Sequence, residues 1–383
     1  MSFTKTTVWI AVCALLAIAA PASAGGFVVY LEHHEDAADF SDVRAVLTTS
    51  NGSFVITGTW TGAVTTMSRN SDTGALTWSD TLADVGYVGS AVLSPDNNHL
   101  YIGTGYDDSV LVYSRHLETG ALTYVAEYID GVGDITGLEL TMAIAISADG
   151  KQVYAAGANA DGLAVFSRDA ATGLLTFVEA HTDGVDGVDG LDQPRGIFVA
   201  PGGAHVYVAG ATDDAIAIFS RDSATGALTW VGQVEDAVGG VSGLNGVFRV
   251  TGDPVGNHIY ASGTAVAVFS RDTNTGLLTY VEDHNLAFSR GIALDRMGRR
   301  LYATSETGDS LTVFDRDFNT GELTLSFTAT HGVDGVDGMD GPYSLALDPQ
   351  SHTAYAGTVN DTLAVFELGV FQDGFESGNT SGW

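Results

Sequence analysis

Residues 164–190 read "AVFSRDAATGLLTFVEAHTDGVDGVDG", and near copies follow as "AIAIFSRDSATGALTWVGQV" at 215–234 and "AVAVFSRDTNTGLLTYVEDH" at 265–284. The Arg of this string recurs at Arg69, Arg115, Arg168, Arg221, Arg271 and Arg316, with spacings of 46, 53, 53, 50 and 45 residues. Five residues after each stands a glycine: Gly74, Gly120, Gly173, Gly226, Gly276 and Gly321. A period of this length marks a repeat architecture. Within one unit, short runs rich in β-branched and aromatic residues at 196–200, 205–210, 215–220 and 228–234 alternate with turn signals. Four strands per repeat of this length is the pattern of a β-propeller blade. The repeated residues are those that turn the chain: Asp169 offers its carboxylate to the amides of the turn, and Gly173 supplies a positive φ.

Counting units gives the closure. A seventh unit begins at "YSLALDP" (343–349), runs through "TAYAGT" and "DTLAVFEL", and stops after its third strand. Its missing strand is supplied at the other end of the chain, where "VVYLEHHED" (28–36) aligns without a gap on "LTFVEAHTD" (175–183). The expected fold is therefore all-β: a seven-bladed β-propeller of four-stranded blades over residues 25–368, its last blade closed by the N-terminal strand, with Val28–Leu31 alongside Leu363–Phe366.

The flanks carry their own signals. Lys5, an apolar run from Val8 to Ala20 and the small-residue pattern Ala22-Ser23-Ala24 read as an export signal over residues 1–24. That run is too short for a membrane span, and no later stretch offers an integral membrane segment. Periplasm, cell surface or medium of a Gram-negative bacterium is the expected location, and residues 369–383 form a tail that could serve in sorting. Cys13, the one cysteine, lies inside the signal, so the remainder has neither disulfide nor thiol chemistry and rests on its packed core. With 47 Asp plus Glu against 15 Lys plus Arg, the formal net charge is −32, which disfavours nucleic acid and anionic membranes as partners. A monomer is expected.

The copies of "AVFSRDAATGLLTFVE", with "DGVDGVDGLDQPRGIFV" and "SADGKQVYAAG", resemble the seven-bladed β-propeller lactonase-like proteins, related to 6-phosphogluconolactonase, over residues 27–368. The resemblance implies the propeller fold and, as an activity to weigh, lactone hydrolysis. The motifs that carry it build blades, and fold alone does not carry function.

Binding groups are expected where the fourth-to-first and second-to-third connections meet around the central channel. Aligning the entry to each inner strand places Arg44, Gly89, Met142, Arg195, Asn245, Arg290 and Tyr343 about that mouth. Three arginines there suit a carboxylate or an oxyanion, unless each simply pairs with a loop aspartate. Asp183, Asp186 and Asp189 in one Gly-Val-Asp loop, and Asp334, Asp337 and Asp340 in the other, could ligate calcium, although no calcium-loop motif is present and no cofactor is required. His34, His181, His284 and His331 recur once per blade and read as consensus residues of the outer strand. The leading expectation is an exported binding or interaction protein for a small molecule, a carbohydrate or a protein. The alternative is a lactone hydrolase in which Arg195 and Arg290 stabilise the oxyanion and Asp192 or a nearby histidine activates water. A cell-surface structural protein is a third, weaker expectation.

Overall fold

The second strand of each repeat reads as a run of small and apolar residues, as in "HVYVAG" at His205–Gly210, and every residue of that strand is buried. Burial on both faces means that each sheet is covered by a neighbour on either side. A computed structural model, which describes residues 28–35 and 40–369, shows how. The expected export signal and the tail beyond Gly369 lie outside the described residues. Twenty-eight strands form seven antiparallel four-stranded sheets, each in sequence order except the last. The inner strands of successive sheets touch one another around a central axis, which makes the sheets the blades of a closed ring. Numbered from the first complete repeat, blade 1 spans residues 43–82, and blade 4 comprises Pro194–Val199, His205–Gly210, Ala215–Arg221 and Leu228–Glu235.

Blade 7 holds Pro342–Leu347, Thr353–Thr358 and Thr362–Leu368, and its outer strand is Val28–Glu35 from the opposite end of the chain. Val28 pairs with Leu368, Tyr30 with Phe366 and His34 with Leu363. The register shifts between Tyr30 and Glu32, so Leu31 is bulged. Blade 3 has the same irregularity at the same place, with Val165 opposite Glu179 and Phe166 opposite Phe177. The N-terminal strand thus reproduces the bulge of an internal repeat as well as its alternation.

The repeated arginine proves to be a clasp between blades. Its Nε donates to the hydroxyl of a tyrosine in the second strand of the preceding blade: Arg69 to Tyr355 at 2.6 Å, Arg168 to Tyr101 at 2.5 Å, Arg221 to Tyr154 at 2.8 Å and Arg271 to Tyr207 at 2.6 Å. Arg316 reaches Tyr260 in the same way. The tyrosine then donates to the carbonyl of the repeat glycine, as Tyr101 does to Gly173 at 2.9 Å. That glycine is at φ 77°, and a Cβ there would come within 2.2 Å of the His99 ring. The string "SRDAATG" is thus scaffold, fitted against the neighbouring blade. Two junctions depart from the pattern. Ile56 replaces the tyrosine between blades 1 and 2, where Arg115 lies over Phe54, and Leu368 replaces the arginine between blades 6 and 7.

Two of these clasps enclose a carboxylate. Arg69 meets Asp348 at 2.6 Å, and Arg316 meets Asp253 at 2.7 Å, where His258 Nδ1 also lies 2.9 Å from the carboxylate. The outer-strand histidines pair with the glutamate two residues earlier: His34 with Glu32, His181 with Glu179 and His284 with Glu282. Glu179 Oε1 also accepts the amide of Leu228 in the next blade at 2.6 Å, and Glu282 accepts that of Leu323 at 2.6 Å. His331 instead lies 3.7 Å from Asp337. These histidines belong to the inter-blade scaffold.

Candidate functional site

The residue five before the turn that follows each inner strand holds the same place in every blade, about the entry to that strand, and in chain order these are Arg44, Gly89, Met142, Arg195, Phe248, Arg290 and Tyr343. Phe248 holds the place expected of Asn245. Asn245 lies three residues earlier in an exposed loop, where its side-chain amide donates to Asp214 at 3.1 Å. The offset arises because blade 5 enters its inner strand late, at Arg249, while its turn Asp253-Pro254 stays in step with Ala200-Pro201 of blade 4.

Four of these side chains pack together. Arg44 lies 4.0 Å above the Tyr343 ring and Arg290 lies 4.4 Å above Phe248, while Phe248 and Tyr343 meet edge to face at 5.1 Å. Such stacking fixes guanidinium planes without using their hydrogen-bond donors. Arg44 forms a two-point pair with Asp42, Nε to Oδ1 and Nη2 to Oδ2 both at 2.6 Å, and Arg290 Nε lies 2.6 Å from Glu306. Arg44 thus meets a neighbouring aspartate, whereas the partner of Arg290 is a glutamate from the turn between the second and third strands of its blade. Arg195 differs from both: its side-chain contact is a bond from Nη2 to Gln193 at 3.2 Å.

A fourth guanidinium was not read from the sequence. Arg249 occupies the place that other blades fill with Ala45, Ser90, Ala143, Gly196, Gly291 and Ser344, so a long side chain enters a channel otherwise walled by small ones. It donates to the carbonyl of Arg195 at 3.1 Å and helps line a cavity of about 180 Å³ with Arg44, Leu47, Ser90, Ile292 and Ser344. Neither Arg195 nor Arg249 has a carboxylate partner among the described residues. Burial holds the Arg249 guanidinium below its ordinary range; Tyr343 opposes this, and the charges of Arg195, Arg44 and Arg290 add to it. Arg195 is lowered by burial and by Arg290 and Arg44, again against Tyr343. For Arg44, burial is outweighed by Tyr343 and Asp42, and its value is raised. The mouth is therefore a concentration of positive charge within a strongly acidic molecule, and an arriving anion would relieve it.

The acidic loops sort differently from expectation. Asp183 and Asp189 converge with Asp213, a residue outside the expected calcium set, with one carboxylate oxygen of each within 4.8 Å of the others. Asp186 is exposed at φ 53° and takes no part. Among the described residues, Asp334, Asp337 and Asp340 form no such group. Burial, then the charges of Asp161 and Asp183, raise the Asp192 pKa; burial, then Asp183, Asp192 and Asp189, raise that of Asp213 against the amide of Asp192. Among the described residues, Asp192 forms no hydrogen bond or ion pair with Arg195 or Arg290; its amide donates to Asp213 at 2.8 Å.

Known proteins of this shape carry more than one chemistry. A candidate 6-phosphogluconolactonase from Bacteroides uniformis superposes with a TM-score of 0.66 at 19% identity, covering 77% of this chain and 88% of that one. The Pseudomonas aeruginosa periplasmic gluconolactonase gives 0.64 at 18%, covering 76% and 85%. Kuenenia stuttgartiensis hydrazine synthase also gives 0.64 at 17%, covering 85% and 96%. At such identities the likeness is one of fold. No curated protein sequence matches the chain. The family comparison is more specific, for "Lactonase, 7-bladed beta-propeller" matches residues 90–242 and 240–337, which include Arg195, Arg249 and Arg290 of the mouth and most of the repeats that build it. The chain belongs to the lactonase family of seven-bladed β-propellers.

Proposed function

We propose that the channel mouth opens a lactone to its hydroxy acid. The observation that carries this reading is the pair of half-buried arginines, Arg195 and Arg249, that lack a carboxylate partner among the described residues. A lactone places a carbonyl oxygen that becomes an oxyanion as water adds to the carbon, and guanidinium groups with open donors suit both that oxyanion and the product carboxylate. Water adds to the carbonyl carbon as Glu306 takes its proton; the ring carbon–oxygen bond then breaks, and the departing oxygen takes the proton back. The gluconolactonase among the similar folds supports the reading, as does the family. Export, expected from residues 1–24, makes the substrate one met outside the cytoplasm.

A second reading, retention of an anionic ligand without turnover, is favoured by the same carboxylates: Asp42 and Glu306 each already hold an arginine at 2.6 Å. Both readings need the arginines, and only the first needs the base. A panel of aldonolactones followed by pH-stat separates them. The hydrolase reading expects enzymatic ring opening that falls at least about a hundredfold in Arg249→Ser and in Glu306→Gln, in the range of a lost oxyanion donor or general base. Spontaneous rates throughout, with gluconate still bound in calorimetry, would leave the binding reading.

A further inference from the structure

Beside the arginines lies a group of rings that the scaffold does not require. Trp60 and Tyr106 sit in the turns joining second to third strands of blades 1 and 2, and Tyr87 leads into the inner strand of blade 2. Their rings meet edge to face, with centroids 4.3 Å apart for Tyr87 and Tyr106, 5.2 Å for Trp60 and Tyr87, and 5.8 Å for Trp60 and Tyr106. The repeats act as an internal control: where blade 1 has Trp60, blades 2 to 5 have Gly105, Ala158, Ala211 and Gly263, and where blade 2 has Tyr106, most others have threonine or asparagine. Tyr106 is 64% exposed and Tyr87 38% exposed, so these rings are set at the surface, not in the core. Among the described residues, the two hydroxyls and the Trp60 indole N–H have no hydrogen-bond partner. Exposed aromatic area with open polar edges calls for a ligand with the same duality.

The cluster is continuous with the mouth. The Arg44 guanidinium lies 5.1 Å from the centre of Trp60 and 4.0 Å from that of Tyr343, so one side chain links the aromatic group to the cationic one. The rings pack against each other and enclose no space, which excludes a cage for an ammonium group, and Arg44 would repel such a cation. A platform of this kind suits the flat C–H face of a pyranose. The sugar's hydroxyls then meet the tyrosine O–H groups and the exposed carboxylate of Asp107, which lies over Gly86 where a Cβ would come within 2.0 Å of it.

We propose that Trp60, Tyr87 and Tyr106 form a subsite for a neutral sugar ring joined to the anionic unit held by the arginines, so that the ligand is a glycosylated sugar acid or its lactone. This rests on the mouth accepting an anion, and the test keeps the two apart. Calorimetric titration with gluconate reads the mouth alone, and titration with lactobionate, which adds one neutral sugar, reads both. Lactobionate should bind about tenfold more tightly than gluconate, the scale of one aromatic stacking contact. Tyr106→Ala should erase that difference and leave gluconate affinity unchanged, while Tyr106→Phe should keep it. Equal affinity of the wild type for both ligands, or a difference that survives Tyr106→Ala, overturns the subsite and leaves the mouth standing. If neither ligand binds, both readings fall.

Discussion

Asp253 offers a stability test whose size follows from its surroundings. It is 1% exposed, and its carboxylate accepts the amides of Val255 at 2.9 Å and His258 at 2.9 Å and the Nη2 of Arg316 at 2.7 Å. Burial works against its charge, but the His258 ring, the Gly256 amide and Arg316 outweigh it and pull the pKa from 3.8 to about 2. A shift of nearly two units corresponds to about 2 kcal/mol of folding free energy. Because the folded value is depressed, that contribution is complete above the ordinary carboxylate range and is lost as pH falls from roughly 4 through roughly 2. Asp253→Ser is the informative change, since Ser94 and Ser147 occupy this place in blades 2 and 3 and the turn accepts serine. At pH 7 it strands the Arg316 guanidinium and should cost about 3 to 5 kcal/mol, the range for breaking one side of a buried pair. Urea unfolding of both proteins at pH 7, 5 and 2.5 gives the check: the gap should narrow by about 1.5 kcal/mol between pH 5 and pH 2.5, the remainder being lost below that. A gap of constant size would show that Asp253 acts through shape alone and refute the electrostatic account.

Three further outcomes follow from the geometry. Arg249→Ser restores the small residue of the other blades, so it should leave the melting temperature within about 2 °C of wild type while gluconate affinity falls at least about tenfold; an unchanged affinity would remove Arg249 from the site. Deleting Val28–Glu35 exposes the edge of Thr362–Leu368 along seven paired positions and should abolish a single cooperative calorimetric transition, whereas an unaltered melting curve would refute the closure. Asp213→Asn relieves repulsion among Asp183, Asp189 and Asp192 and keeps an oxygen for the Asp192 amide. It should stabilise by on the order of 0.5 kcal/mol at pH 7, and the gain should fade as pH falls and the raised carboxyls take up protons. A loss of stability at pH 7 would contradict it.

The ring and its seal were legible because turn chemistry and alternation are local. "SRDAATG" announces its own turn, and "VVYLEHHED" carries the outer-strand pattern down to the bulged Leu31. The meaning of the repeated arginine was not legible, since Arg168 and its partner Tyr101 stand 67 residues apart in different blades. At the mouth, Arg44, Arg195, Arg290 and Tyr343 could be found by aligning strand entries, and the same procedure misplaced blade 5. Counting backward from Asp253-Pro254 would have reached Phe248 and, beside it, Arg249. Trp60, Tyr87 and Tyr106 escape any periodic reading because each departs from its own repeat. Asp213 joins Asp183 and Asp189 only through the packing of one loop against another.

The strand that seals the ring is the first part of the propeller to leave the ribosome and the last to find its place. Val28–Glu35 has to wait, edge exposed, until Thr362–Leu368 has been made. Six blades can assemble during that interval, but the circle stays open until Thr362–Leu368 is there to pair with. The ring therefore stays unsealed until its first strand and its last three have met.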